Sequence, residues 1–273
     1  MTRYAAMFDR LRQRHQGGFG AFVMLGDPDL ETSALLLDAL VEGGADFIEV
    51  GIPFSDPIAD GPVIQAASAH ALAAGIRVDD CFELIGEFRK RHPDVPLGIL
   101  TYANLLAARD PKRFMEDAAK AGTDSILVAD VPSLEAGPFS KIAGAAGIDL
   151  VMTAAPNTGG QAIERIAAFS SGYTYCVARS GVTGIRQALK LDHGPLFSAL
   201  SAAGAPPPVL GFGISQPEHV QQALAEGAAG VIAGSLIVSL IEEGGPKMLA
   251  NVRDCVSAMK CASIPFVSSS SRH

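Results

Sequence analysis

"GADFIEVGIPFSDPIADGPVIQ" (residues 44–65) sets two unlike pieces of chain side by side. Residues 47–52 form an apolar run broken once, by Glu49. Continuous apolar runs of that length mark strands buried on both faces, as in parallel sheets covered by helices. A proline-rich loop follows at once and carries two more acids, Asp56 and Asp60. An unpaired carboxylate in a buried strand is costly, so a mid-strand Glu calls for a reason beyond packing.

Working outward, the same unit repeats. Apolar runs stand at residues 20–25, 47–52, 96–102, 125–130, 150–155, 173–178, 208–213 and 230–235. Helical patterns lie between them, among them 31–41, 79–91, 111–121, 162–168 and 217–226, and glycine closes several. Eight strand–helix units in about 250 residues predict an α/β chain folded as a (β/α)8 TIM barrel. A doubly wound open sheet is the alternative, because periodicity does not report closure. That alternative prefers a G-x-G-x-x-G fingerprint after the first strand, and "MLGDPDLETS" has none. Extra helices are expected over 2–14 and 247–260. With no low-complexity linker, residues 1–267 read as one barrel domain and 268–273 as a flexible polar tail.

The 273 residues are 48% hydrophobic and only 18% charged, which excludes a disordered chain. A net charge of −8 argues against a nucleic-acid or anionic-membrane surface. An anionic substrate must then be held by a local device. Cys81, Cys176, Cys255 and Cys261 form no CxxC pair and read as thiols of a reducing cytosol. Residues 1–15 lack an apolar signal core, and Tyr4, Phe8 and Leu11 share one helical face. A docked helix and a cytoplasmic location are expected, an arginine-rich transit segment being the alternative.

In a barrel, chemistry sits at the C-terminal ends of the strands. Glu49 shares strand parity with Phe47 and Gly51. If these point inward, Glu49 is desolvated near the top of the core, with a raised pKa suited to giving and taking protons. A structural carboxylate paired with backbone or arginine is the plainer reading. Pro53, Pro57 and Pro62 stiffen the next loop and hold Asp56 and Asp60 in place. Asp60 could also simply cap the following helix.

Glycine-rich turns follow the last three strands: "RSGVTG" (179–184), "GFGIS" (211–215) and "GSLIV" (234–238). Glycines let backbone N–H groups approach a ligand, and barrels often hold phosphate after strands seven and eight. The glycine-containing segment 179–190 reads as a lid. No lysine falls in a predicted strand, which disfavours a Schiff-base aldolase. No histidine sits at a strand end or at metal-ligand spacing, which disfavours a metal aldolase. Carboxylate acid–base chemistry on a phosphorylated, partly apolar substrate remains.

"FIEVGIPFSDPIADGPVIQ", "LTYANLL", "ILVADVP", "RSGVTG", "GFGIS" and "AGSLIV", in that order, resemble the tryptophan synthase alpha chain family. The resemblance covers nearly the whole chain except the serine-rich tail. It implies retro-aldol cleavage of indole-3-glycerol phosphate to indole and glyceraldehyde 3-phosphate. Glu49 then shuttles protons and Asp60 meets the indole nitrogen. Phe22, Leu100, Leu127, Ala129, Thr153, Tyr175 and Phe212 line the pocket; Gly184, Gly213, Gly234 and Ser235 hold phosphate. For Phe22, Leu100 and Leu127, core packing is the rival role. Thr183 corresponds to a lid threonine closing toward Asp60. Thr153 is more polar than is usual among relatives. The resemblance also implies a beta chain partner in an alpha2-beta2 heterotetramer, contacted through loops holding Asp56 and Tyr102–Leu105. Pyridoxal phosphate belongs to that partner, and no cofactor or metal is expected here. The rivals are another phosphate-binding barrel lyase or isomerase, and a non-catalytic activator of a beta chain.

Overall fold

The structure, a computed structural model, describes residues 1–177 and 193–264. Thr183, Gly184, the 179–190 segment and the 268–273 tail lie outside the described residues.

Eight strands run β1 Gly18–Met24, β2 Phe47–Gly51, β3 Leu97–Thr101, β4 Ser125–Val128, β5 Asp149–Ala154, β6 Thr174–Val177, β7 Pro208–Gly211 and β8 Gly230–Ala233. Each pairs in parallel with its neighbours in chain order, and β8 returns to β1. The sheet is therefore a closed barrel, and the open-sheet alternative falls. Two glycines make the seam: Gly18 pairs with Gly230. A Cβ on Gly230 would lie 2.8 Å from the Gly18 carbonyl oxygen, so any side chain there would force the strands apart.

The strands stop two residues or so short of several apolar runs. Ala129–Asp130 and Phe212–Gly213 stand just past them in loops of the barrel mouth, and Gly234–Ser235 stand where the helix Ser235–Glu243 begins. Helices cover the barrel outside. The described α-helices are α1 Arg3–Gln13, α2 Leu30–Glu42, α3 Pro62–Ala73, α4 Val78–Arg91, α5 Ala103–Arg109, α6 Pro111–Ala121, α7 Ala136–Ala146, α8 Gly160–Phe169, α9 Gly194–Ala202, α10 Pro217–Ala225, α11 Ser235–Glu243 and α12 Met248–Ala262, of which α3, α5, α7, α9 and α11 go beyond those expected. Tyr102 is the cap residue of α5, and the Ala103 N–H donates to Asp130 Oδ1 at 2.8 Å.

Strand alternation divides the core in two. Phe19, Ala21, Val23, Ile48, Val50, Ile99, Ile126 and Leu210 face the helices. Phe22, Met24, Phe47, Leu100, Leu127, Val151, Tyr175, Val209 and Ile232 fill the barrel. The N-terminal helix, Arg3–Gln13, carries Tyr4, Met7, Phe8 and Leu11 into that inner cluster. The Tyr4 ring packs 6.0 Å from Phe47 and 5.3 Å from Tyr173, with its hydroxyl 3.1 Å from Ser125 Oγ. Glycine makes room inside: a Cβ on Gly20 would lie 2.4 Å from the Phe47 ring. The bottom is thus plugged and the mouth is left for ligand.

Candidate active site

Glu49 stands on the inner face of β2, between Phe22 on β1 and Gly98 on β3. It is only 2% exposed. The Tyr173 hydroxyl donates to Glu49 Oε1 at 3.0 Å. Burial pushes the Glu49 carboxyl up to about 8; the Tyr173 hydrogen bond pulls it back in part, and the nearby Asp60 charge pushes it further up. A group in this state is largely protonated at neutral pH yet able to release its proton, as a shuttle requires.

Asp60 comes from the loop after β2 and is 7% exposed. It does not cap α3: Gly61 is the cap residue and no side chain bonds there. Its Oδ2 instead accepts from the Tyr102 hydroxyl at 2.9 Å. That same hydroxyl accepts from the Ala59 N–H at 3.2 Å, and the Tyr102 ring stacks on Phe54 at 5.2 Å. Two α3 side chains hold the loop from behind. Gln65 Nε2 donates to the Asp60 carbonyl at 2.9 Å, and Ser68 Oγ bridges the Phe54 N–H and C=O at 2.8 Å each. Burial pushes the Asp60 carboxyl up to about 6, with the Tyr102 bond pulling it back. Asp56, by contrast, is exposed at the loop tip and does not join the pair.

Tyr102 and Tyr173 are the residues that sequence reasoning missed. Tyr102 fell among surface-loop residues, but its side chain is buried and turned toward Asp60. Tyr173 shares parity with Tyr175, the one available sign that it faces the barrel interior. Replacing Tyr102 with Phe removes the donor that favours ionised Asp60. A hydrogen bond to a charged group is worth about 1.5–3 kcal/mol, so the Asp60 pKa is expected to rise by roughly 1–2 units. The acid limb of the pH–rate profile then moves upward by that amount; an unmoved limb would separate Tyr102 from Asp60.

Phe22, Leu100, Leu127 and Tyr175 belong to the same inner cluster as the residues around Glu49, with Ala129 and Phe212 half-buried against it at the rim. Tyr175 and Phe212 meet edge to face at 6.1 Å. Gly211 permits this, since a Cβ there would lie 2.1 Å from the Tyr175 ring. Thr153 is the one exposed residue among the described strands, so its hydroxyl opens into the mouth.

Beside this apolar wall lie backbone donors. Gly234 precedes α11, whose first turn no side chain caps, and Ser235 at its start is exposed. A helix start with free N–H groups attracts anions. A Cβ on Gly234 would lie 3.5 Å from Phe22, so this donor set borders the apolar pocket. Phe212 and Gly213 both take left-handed backbone, at φ +72° and +77°, which turns the 211–215 loop sharply after β7.

A family model for the tryptophan synthase alpha chain matches residues 8–264. The tryptophan synthase alpha chain of Shewanella amazonensis is 47% identical over 265 residues, covering 96% of this chain and all of the relative. That of Aeromonas hydrophila is 46% identical, covering 96% and 99%. Among solved structures, the alpha subunit from Legionella pneumophila superimposes with a TM-score of 0.85 at 31% identity, covering 96% of this chain and 98% of that one. A chain of the Pyrococcus furiosus tryptophan synthase complex gives 0.80 at 35%, covering 89% and 98%. With matching sequence along nearly its whole length and a matching barrel, the chain belongs to the tryptophan synthase alpha chain family.

Proposed function

We propose that Glu49 and Asp60 are the acid–base pair of a retro-aldol lyase acting on indole-3-glycerol phosphate, within one catalytic unit spanning residues 1–267. As a member of its family, the chain is a lyase of tryptophan biosynthesis that releases indole and glyceraldehyde 3-phosphate. The observation that carries the assignment is the pair of buried carboxylates, titrating near 8 and near 6, each held by a tyrosine hydroxyl.

The separated pKa values divide the work. At neutral pH Glu49 is the acid and Asp60 the anion. Glu49 delivers its proton to the ring carbon that bears the side chain, and the ring nitrogen becomes cationic. Asp60 accepts a hydrogen bond from that N–H and stabilises the charge in a desolvated site. The Glu49 carboxylate then takes the proton of the adjacent side-chain hydroxyl. The C–O bond becomes C=O, the carbon–carbon bond to the ring breaks, and its electrons restore the aromatic ring. Glu49 ends protonated, ready for another turnover.

Phe22, Leu100, Leu127, Ala129, Tyr175 and Phe212 form the apolar wall for the indole, with Thr153 offering a hydroxyl at the mouth. Gly213, Gly234 and Ser235 supply donors to the phosphate; the corresponding reading of Thr183 and Gly184 concerns residues outside those described. This local device suits a chain of net charge −8. The chemistry asks for no cofactor in this chain, and pyridoxal phosphate is assigned to the beta partner.

Pyrococcus furiosus tryptophan synthase is described as a mutually activating a2b2 complex. The same assembly is proposed here, in the cytoplasm. No described helix is long and apolar enough to cross a membrane. Ile58 and Leu134 are 72% and 71% exposed on mouth loops, Asp56 is exposed two residues before Ile58, and Asn104 is exposed in the helix after β3, a surface suited to a partner. The test is indole formation from indole-3-glycerol phosphate by the isolated chain and by the chain with a beta chain. Indole in either case supports the lyase; none in both, with the beta chain nonetheless activated, supports the activator reading instead.

A further inference from the structure

We infer that His219, a residue given no role so far, is the positioning residue for the backbone turn that receives the substrate phosphate. His219 lies half-buried in the helix Pro217–Ala225, directly after the turn. Its Nδ1 lies 3.1 Å from the Gly213 carbonyl oxygen and 3.3 Å from the Ser215 nitrogen. A bare Nδ1 accepts from the Ser215 N–H, and a protonated Nδ1 donates to the Gly213 carbonyl. In both tautomers the ring ties one end of the turn to the helix behind it.

The turn needs such a tie. Phe212 is a bulky residue in left-handed backbone, a conformation that persists only where its surroundings hold it. Gly213 follows in the same region, which glycine enters freely, so it adds no restraint of its own. Gly213 and Ser215 are exposed, so packing does not restrain them, and the buried Ile214 between them anchors only the middle. His219 supplies the missing side-chain restraint. Fixing the turn in advance spares the ordering cost when a phosphate binds. The His219 side chain hydrogen-bonds to backbone, and neither Glu49 nor Asp60 is among its partners, so its effect falls on binding and not on proton transfer.

This inference rests on the reading of Gly213, Gly234 and Ser235 as phosphate donors, and inorganic phosphate separates the two. The experiment measures indole formation with inorganic phosphate as competitor, in the wild type, His219→Ala and His219→Asn. The Asn amide can take the place of Nδ1 in either hydrogen bond. Losing one restraining bond is expected to raise KM and the inhibition constant of phosphate by about tenfold in H219A, with kcat within about twofold. H219N is expected to recover most of both. If phosphate competes in the wild type and H219A leaves KM and the inhibition constant unchanged, the His219 role is wrong and the phosphate reading stands. Equal loss of kcat and KM effects in H219A and H219N, with lowered thermal stability, assigns the histidine to packing and also overturns the role. If phosphate does not compete with the wild type at all, the phosphate reading fails and takes the inference with it.

Discussion

Glu49→Gln is expected to lose indole formation by roughly 10²–10⁴-fold in kcat, the usual worth of a positioned acid–base group. The amide keeps the size of the side chain and can still accept from the Tyr173 hydroxyl, so binding and fold are preserved. The same variant is expected to be the more stable protein. Folded Glu49 titrates near 8, against 4.5 for an ordinary Glu. Between those values the unfolded chain has lost a proton that the folded chain keeps, so wild-type stability falls as pH rises through this window. Glutamine does not titrate. The two proteins should therefore be alike below about pH 4.5, and the variant should gain up to a few kcal/mol by pH 8. Steady-state indole assays and urea unfolding at pH 4.5, 6.5 and 8 test both halves. Turnover retained in E49Q would remove Glu49 from the chemistry; equal stability at pH 8 would mean the carboxyl is not desolvated in solution.

Asp60→Asn should cost about 10²-fold or more in kcat, comparable to deleting one preorganised charge-stabilising group. The Asn oxygen can still meet the ring N–H and the Tyr102 hydroxyl, but it brings no charge to the cationic ring. Substrate affinity should change less than turnover, because the charge forms after binding. The pH–rate profile gives a second readout. In the wild type its acid limb, near 6, reports Asp60 ionising, and its basic limb, near 8, reports Glu49 losing its proton. In D60N the acid limb should disappear. The basic limb should move down, because the Asp60 charge that helps hold Glu49 protonated is gone. A basic limb that does not move would mean that the two groups act separately.

These two carboxylates also show how far the sequence could be read. Glu49 was placed correctly on the inner face of its strand because a period of two leaves no freedom: if Ile48 and Val50 pack on helices, Glu49 faces inward. The Gly213 and Gly234–Ser235 turns were legible for a similar local reason. Only short stretches of chain are needed to place them past the ends of strands. Asp60 was ambiguous, because "ADGP" is an acceptable helix start and an acceptable active-site loop. What resolved it was a hydroxyl 42 residues away, that of Tyr102. Glu49 found its partner still farther off, with Tyr173 lying 124 residues along the chain. Neither tyrosine differs in its sequence neighbourhood from an ordinary strand-end aromatic. The first turn of α5 misled for the same reason, since Tyr102 reads as loop surface until Phe54 is seen stacked on it.

The order of strand and helix units, the inward face of Glu49 and the glycine turns at the mouth were determined by the sequence, because each depends on the direction taken by neighbouring residues. Closure through Gly18 and Gly230, the burial that lifts Glu49 and Asp60, and the two tyrosines that hold them were decided only by the tertiary structure. Those features depend on distances across the barrel, and such distances exist only once β8 has returned to β1 and water has been driven from the space between.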